Sequence, residues 1–208
     1  MTQTPPATPR LLWTIAVVWL IGLGISGWSP FDRTTWWLEV SPCFIGFAVM
    51  WATRTRFPLT DLLYILILLH GVVLIVGGAY TYARVPLGFW MQDWFGFSRN
   101  NYDKIGHFAQ GFVPAIIARE LLIRHWKIPQ KGLIAFLAIS ICLAFSAFYE
   151  LIEWWAALGL GQGADEFLGT QGDPWDTQSD MFFALLGAIV ALLSLSGLHD
   201  RQIKATRS

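Results

Sequence analysis

Residues 62–82 read LLYILILLHGVVLIVGGAYTY and form the most uniformly apolar stretch of the chain. Over these 21 residues the apolar run is interrupted only by His70. About 20 predominantly apolar residues are enough for an α-helix to cross the hydrocarbon core of a bilayer. The stretch therefore predicts a transmembrane helix.

The composition of the whole chain agrees with this prediction. Of its 208 residues 55% are hydrophobic and 13% are charged, and the mean hydropathy is +0.50. Average globular chains are about 25% charged. The formal net charge is zero, so no basic surface suggests nucleic acid as a partner. These values are typical of an integral membrane protein, with membrane lipids as its surroundings.

Five further apolar runs predict five more spanning helices. They occupy residues 11–27, 36–51, 106–122, 133–155 and 181–197. We therefore expect an all-α fold, a polytopic membrane protein with a bundle of about six transmembrane helices. The predicted organisation is a disordered tail at residues 1–9, a single transmembrane helical domain at 10–198 and a basic cytoplasmic tail at 199–208.

The distribution of Lys and Arg predicts the orientation of this bundle. With six helices and a cytoplasmic N-terminus, ten of these residues fall on the inner side and four on the outer side. The positive-inside rule favours this arrangement, with both termini in the cytoplasm.

An acidic stretch, DEFLGTQGDPWDTQSD at residues 165–180, separates the last two predicted helices. It carries five carboxylates and neither Lys nor Arg. Charged groups in a chain this apolar need partners. The sequence leaves open whether these are a metal, a cationic ligand, protons or basic residues from elsewhere in the chain.

Three pairs of polar residues fall at the outer ends of the last three predicted helices. Each pair has a spacing of three or four residues, which places its members on one helical face. The pairs are Asp103 with His107, Glu150 with Glu153, and Asp176 with Asp180. A carboxylate at membrane depth is costly and indicates a functional site by default. The alternative is a polar network that only fixes helix packing.

The predicted site residues fall into three groups. The candidate catalytic residues are Glu150, His107 and Asp176; the candidate metal ligands are His107, Glu150, Glu153, Asp173, Asp176 and Asp180; the other predicted pocket residues are Asp103, Lys104, Gln171 and Gln178. A ligand set rich in oxygen with one nitrogen suits Mg, Mn or a mixed-ligand Zn site. We also expect His107 to lie within roughly 10 Å of Glu150 or Glu153, because a short turn joins their helices.

Three motifs carry a resemblance to a known family. They are DKIGHFAQGF at 103–112, YELIEWW at 149–155 and GTQGDPWDTQSDM at 169–181. Together they resemble the YjdF-type bacterial inner-membrane proteins, which implies a multi-pass protein of the inner membrane and no particular function. More remotely, the order of these motifs is similar to VanZ-like membrane proteins, which are associated with glycopeptide resistance and the cell envelope. The chain departs from that pattern at Glu153, where those proteins have Gln.

The sequence is compatible with three functions, and it does not decide whether the protein is an enzyme. The first is binding or catalysis at an outer-face pocket, with a divalent metal as cofactor and a lipid-linked or other envelope molecule as substrate. The second is a small proton-coupled transporter, for which six short helices without a repeat would call for a homo-oligomer. The third is a structural or assembly protein without catalysis. Clustering of the polar groups at one end favours the first.

Overall fold

The computed structural model of the protein describes residues 9–161 and 170–205. Within these ranges the regular elements are helices, in the order α1 (Pro9–Trp28), α2 (Arg33–Thr53), α3 (Asp61–Tyr80), α4 (Pro86–Phe95), α5 (Tyr102–Arg124), α6 (Lys131–Leu160) and α7 (Asp176–Ala205). The predicted all-α, polytopic membrane fold is confirmed. Asp165, Glu166 and Gly169 of the acidic stretch, and residues 1–8 of the predicted tail, lie outside the described residues.

Six of the described helices are long enough to cross a bilayer. By length and hydropathy together, four qualify as candidate spans: α1, α3, α6 and α7. The other two, α2 with 21 residues and α5 with 23, are more polar. Their most polar members include Glu39 and Glu120, which are buried inside the bundle. The short α4 lies in the connection between α3 and α5, with Trp90 and Trp94 exposed.

The last helix is longer at both ends than its apolar run. It begins at Asp176 and ends at Ala205, whereas the run covers only residues 181–197. Charged residues ended the predicted span, but Asp176 and Asp180 are buried in the folded chain and continue the helix. His199, in the predicted tail, is likewise a buried residue of α7.

The stretch quoted first forms the central helix, α3. Its Tyr64 and Ile75 belong to a buried apolar cluster with Trp19 of α1 and Met50 of α2. Its Leu63 belongs to a second cluster, formed with α5, α6 and α7. Because α3 contributes to both clusters, it joins the α1–α2 pair to the remaining helices.

Helices α5 and α7 pack with their backbones in contact. A Cβ atom added at Gly111 would lie 1.7 Å from the carbonyl oxygen of Ala184, and one added at Gly187 would lie 2.1 Å from that of Phe108. Small residues at helix interfaces allow this approach in membrane proteins. The contact places the start of α5 directly beside the start of α7.

A hydrogen-bonded cluster ties α3, α5 and α7 together at the opposite end of the bundle. Glu120 is fully buried, and its Oε2 accepts hydrogen bonds from Thr60 Oγ1 and His199 Nε2, each at 2.8 Å. Arg119 Nη1 lies 2.9 Å from His199 Nδ1. Since arginine can only donate, His199 carries its proton on Nε2. No pattern in the sequence predicted this cluster.

Candidate functional site

The predicted convergence of polar residues is observed at one end of the bundle, which we call the site end. His107 of α5, Glu150 of α6 and Asp180 of α7 meet there. The Nδ1 atom of His107 lies 3.9 Å from Glu150 Oε1, and its Nε2 atom lies 3.5 Å from Asp180 Oδ1. The expectation that His107 lies near Glu150 or Glu153 is confirmed.

Basic residues from elsewhere in the chain neutralise part of the acidic stretch. The ammonium group of Lys104 donates to Asp176 Oδ1 and Asp180 Oδ1, each at 2.7 Å. The guanidinium of Arg99 contacts Asp176 and lies 3.3 Å from Asp103 Oδ2. Both cations are largely buried, so each ion pair is shielded from water. These contacts hold the starts of α5 and α7 together.

Arg99, in the loop before α5, was missed as a site residue by the sequence argument. Burial by itself lowers the pKa of this guanidinium, but Asp176, Asp103 and Asp173 together raise it above its usual value. Asp173 Oδ2 lies 3.7 Å away. In the sequence, Arg99 stood out only as one of the few positive charges on the predicted outer side. Asp176 lies 77 residues away from Arg99 along the chain, a separation that sequence spacing does not reveal.

His107 is surrounded by polar atoms on both ring nitrogens. Besides its contacts with Glu150 and Asp180, its Nδ1 atom lies 2.9 Å from Gln110 Oε1. The His107 side chain is 11% exposed. Glu150 Oε1, beside it, is buried and has no hydrogen-bond partner among the described residues. A buried carboxylate oxygen without a donor is unfavourable, and a cation at this position would satisfy it.

Two groups of three residues have the geometry of a metal site. His107, Glu150 and Asp180 each offer a ligand atom, and these atoms lie within 4.8 Å of one another; the same holds for Asp103, Asp176 and Asp180. Coordination at about 2.0–2.2 Å needs only a modest contraction of such a group. In the second group all three carboxylates already have cationic partners, since Lys104 binds Asp176 and Asp180 and Arg99 contacts Asp103, whereas in the first group only Asp180 has one. The first group is therefore the better candidate.

A cavity of about 160 Å³ opens beside His107. Glu39 of α2 and Glu153 of α6 line it, together with Tyr149. Tyr149 Oη donates to Glu39 Oε2 at 3.4 Å. Glu39 was missed as a site residue, although a carboxylate in an apolar helix was a usable signal. The cavity has room for several water molecules or a small polar group.

Three further predicted site residues lie at the edge of the site end. Asp173 is partly exposed and accepts the backbone N–H of Trp175 at 2.9 Å. Gln171 is exposed, and its Nε2 donates to the carbonyl oxygen of Asn100 at 2.8 Å, which joins the two loops at the site end. Gln178 is exposed on the first turn of α7. The structure thus places these three side chains at the rim.

Comparisons with known proteins agree with the membrane fold. Residues 11–201 match the family described as "Predicted membrane protein (DUF2238)". The chain is 54% identical over 204 residues to the inner membrane protein YjdF of Escherichia coli (strain K12), covering 98% of this chain and 97% of that protein. No solved structure is significantly similar to the chain. Neither match bears on the remoter VanZ-like resemblance, which stays a prediction. The chain therefore belongs to the DUF2238 family of integral membrane proteins, the family of its relative YjdF.

Proposed function

We propose that the protein binds a divalent metal ion through His107, Glu150 and Asp180, and that this site binds or acts on a lipid or another cell-envelope molecule. The observation that carries the proposal is the buried Oε1 atom of Glu150, which has no hydrogen-bond partner among the described residues and lies 3.9 Å from His107 Nδ1. The donor set of one nitrogen and carboxylate oxygens suits Mn, Mg or mixed-ligand Zn.

The roles of the neighbouring residues follow from their contacts. Lys104 and Arg99 neutralise Asp176 and hold α7 against α5, so they position the ligand Asp180. Glu153 and Glu39 line the cavity into which a bound molecule would reach. A divalent ion held by the three ligands would bind and polarise an oxygen atom of that molecule.

The location of the site supports a ligand from the cell envelope. The site end carries few Lys and Arg residues and the opposite end carries most of them. By the positive-inside rule the site end faces the outside of the inner membrane. A pocket there is accessible to lipids and to molecules that reach the periplasmic face.

A purely structural role is the second candidate, and the ion pairs of Lys104 with Asp176 and Asp180 favour it. If these pairs were the whole purpose of the cluster, His107 and Glu150 would have no cation to bind. The two functions therefore predict different metal contents for the same protein.

Elemental analysis of the purified full-length protein tests the proposal. We expect about one divalent ion per chain, by the stoichiometry of a single three-ligand site. His107→Ala and Glu150→Gln should lose the ion, whereas Gln178→Ala, which changes an exposed residue at the rim, should keep it. A wild-type protein that stays metal-free after incubation with Mn²⁺ or Zn²⁺ would contradict the proposal, as would variants that retain the full content.

A further inference from the structure

A second, apolar cavity of about 600 Å³ lies between α2, α3 and α5. Ligand pockets for small organic molecules usually measure roughly 300–1,000 Å³. The walls of this cavity are mainly hydrocarbon, contributed by residues such as Val49, Met50, Ile67, Val113, Ile117 and Leu121. Such walls suit a hydrocarbon chain and do not suit a path for ions or water.

The apolar cavity meets the acidic one near the middle of the bundle. Pro42, His70 and Leu74 line both cavities. Along α2 the apolar cavity extends from Pro42 to Thr53, which at 1.5 Å per residue is about 16 Å. This is roughly half of the 30 Å hydrocarbon thickness of a bilayer, the length that one acyl chain occupies.

Two details at the walls fit a bound lipid chain. A Cβ atom added at Gly46 would meet no atom within 4 Å, so the backbone of α2 leaves open space there. At the junction, His70 Nε2 is buried and has no hydrogen-bond partner among the described residues. A ring nitrogen in this position can bind a polar group at the top of the chain, such as an ester.

The charges of the acidic cavity indicate the chemistry of the head group. Glu39, Glu153, Asp103 and Asp180 line it, and its described lining includes neither Lys nor Arg. Asp103 and Asp180 already have cationic partners, whereas the described salt bridges give none to Glu39 or Glu153. A positively charged group complements these two carboxylates.

We propose that the ligand is a lipid with a primary ammonium head group. One of its acyl chains occupies the apolar cavity, its ester lies near His70, and its ammonium group lies between Glu39 and Glu153. The assignment rests on the proposed function in one respect, because it places the polar end of a lipid in the acidic cavity. It does not require a bound metal.

Photo-crosslinking with defined lipids tests this assignment in the full-length protein reconstituted in nanodiscs. The probes are phosphatidylethanolamine and phosphatidylglycerol, each with the same diazirine-bearing acyl chain. We expect phosphatidylethanolamine to label cavity residues such as Met50, Ile67 and Val113, with a preference over phosphatidylglycerol on the order of tenfold. Glu39→Gln and Glu153→Gln should each reduce that preference.

A matched pair of glycine variants tests the position of the chain. Gly46→Leu fills the open space of the cavity and should reduce labelling of its walls by about tenfold. Gly24→Leu, on the exposed face of α1, also meets no atom within 4 Å and should leave labelling unchanged. Monodisperse elution on size-exclusion chromatography verifies that both variants fold.

Several results would overturn the assignment. Labels confined to lipid-facing residues such as Ile25 and Leu193 would show only surrounding lipid, and so would undiminished cavity labelling in a folded Gly46→Leu protein. Equal labelling by both lipids would overturn the ammonium head group. If Gly46→Leu does not fold, the positions labelled in the wild-type protein test the assignment instead. Labels on cavity residues support it, and labels confined to lipid-facing residues overturn it. Metal content, measured on the same samples, tests the proposed function separately: specific cavity labelling of a metal-free protein would overturn only the metal site.

Discussion

At the scale of single residues, Glu150 and Glu153 are one helical turn apart and differ in their contacts. Glu150 is beside His107, whereas Glu153 lines the cavity. We predict that Glu150→Gln abolishes function more completely than Glu153→Gln, because glutamine keeps the shape of the side chain but cannot carry the charge that a metal requires. The readout is rescue of an envelope-stress or antibiotic-sensitivity phenotype of a deletion strain by plasmid-borne variants.

The control for this prediction is Glu150→Ala, compared at equal protein level in the membrane. If Glu150 only ties helices together, Glu150→Gln should be nearly silent and Glu150→Ala harmful through an unsatisfied partner. Full rescue by Glu150→Gln would therefore place Glu150 in a structural network and remove it from the proposed metal site.

The sequence predicted which site residues share a helical face, but it did not predict which cations bind the carboxylates. Helical spacing places Asp103 with His107 and Asp176 with Asp180, since these relations are local. Which cation meets which carboxylate depends on how α5 and α7 pack. For that reason Arg99 was missed, and Gln178, predicted as a pocket residue, lies exposed on the first turn of α7.

At the scale of elements, the contact between α5 and α7 positions the site. We predict that Gly187→Ala destabilises the protein by about 1–3 kcal/mol, the usual cost of overpacking, because its Cβ would lie 2.1 Å from the carbonyl oxygen of Phe108. The measurement is thermal unfolding in detergent, together with metal content, which should fall because Asp180 moves relative to His107.

Gly197→Ala is the matched control on the same helix. A Cβ atom there meets nothing within 4 Å, so alanine should be neutral or stabilise by up to about 1 kcal/mol through helix propensity. Equal unfolding temperatures for the two variants would show that the close backbone contact is not a constraint.

At the scale of the whole molecule, hydropathy was sufficient to predict the fold class. The apolar runs correspond to the helices, and the run with the highest mean hydropathy among the candidate spans became the central helix α3. Helix ends were predicted less well, since α7 continues through buried charged residues whose partners lie on other helices. The α5–α7 contact itself depends on glycines whose spacing alone did not indicate a partner.

Orientation in the membrane is a prediction at this scale. We expect both termini in the cytoplasm, because the alternative would place ten Lys and Arg residues outside and four inside. Reporter fusions after Gly163, which lies outside the described residues, and at the C-terminus test it. A cytoplasmic signal at Gly163 would contradict both the topology and an outward-facing site.

The proposed function depends above all on a divalent ion bound between His107, Glu150 and Asp180. The most direct measurement is anomalous X-ray scattering from crystals of the full-length protein grown with Mn²⁺ or Zn²⁺. We expect one strong anomalous peak at about 2.0–2.2 Å from ligand atoms of all three side chains. A metal-soaked crystal without that peak, with Glu150 Oε1 hydrogen-bonded to a protein donor, would contradict it.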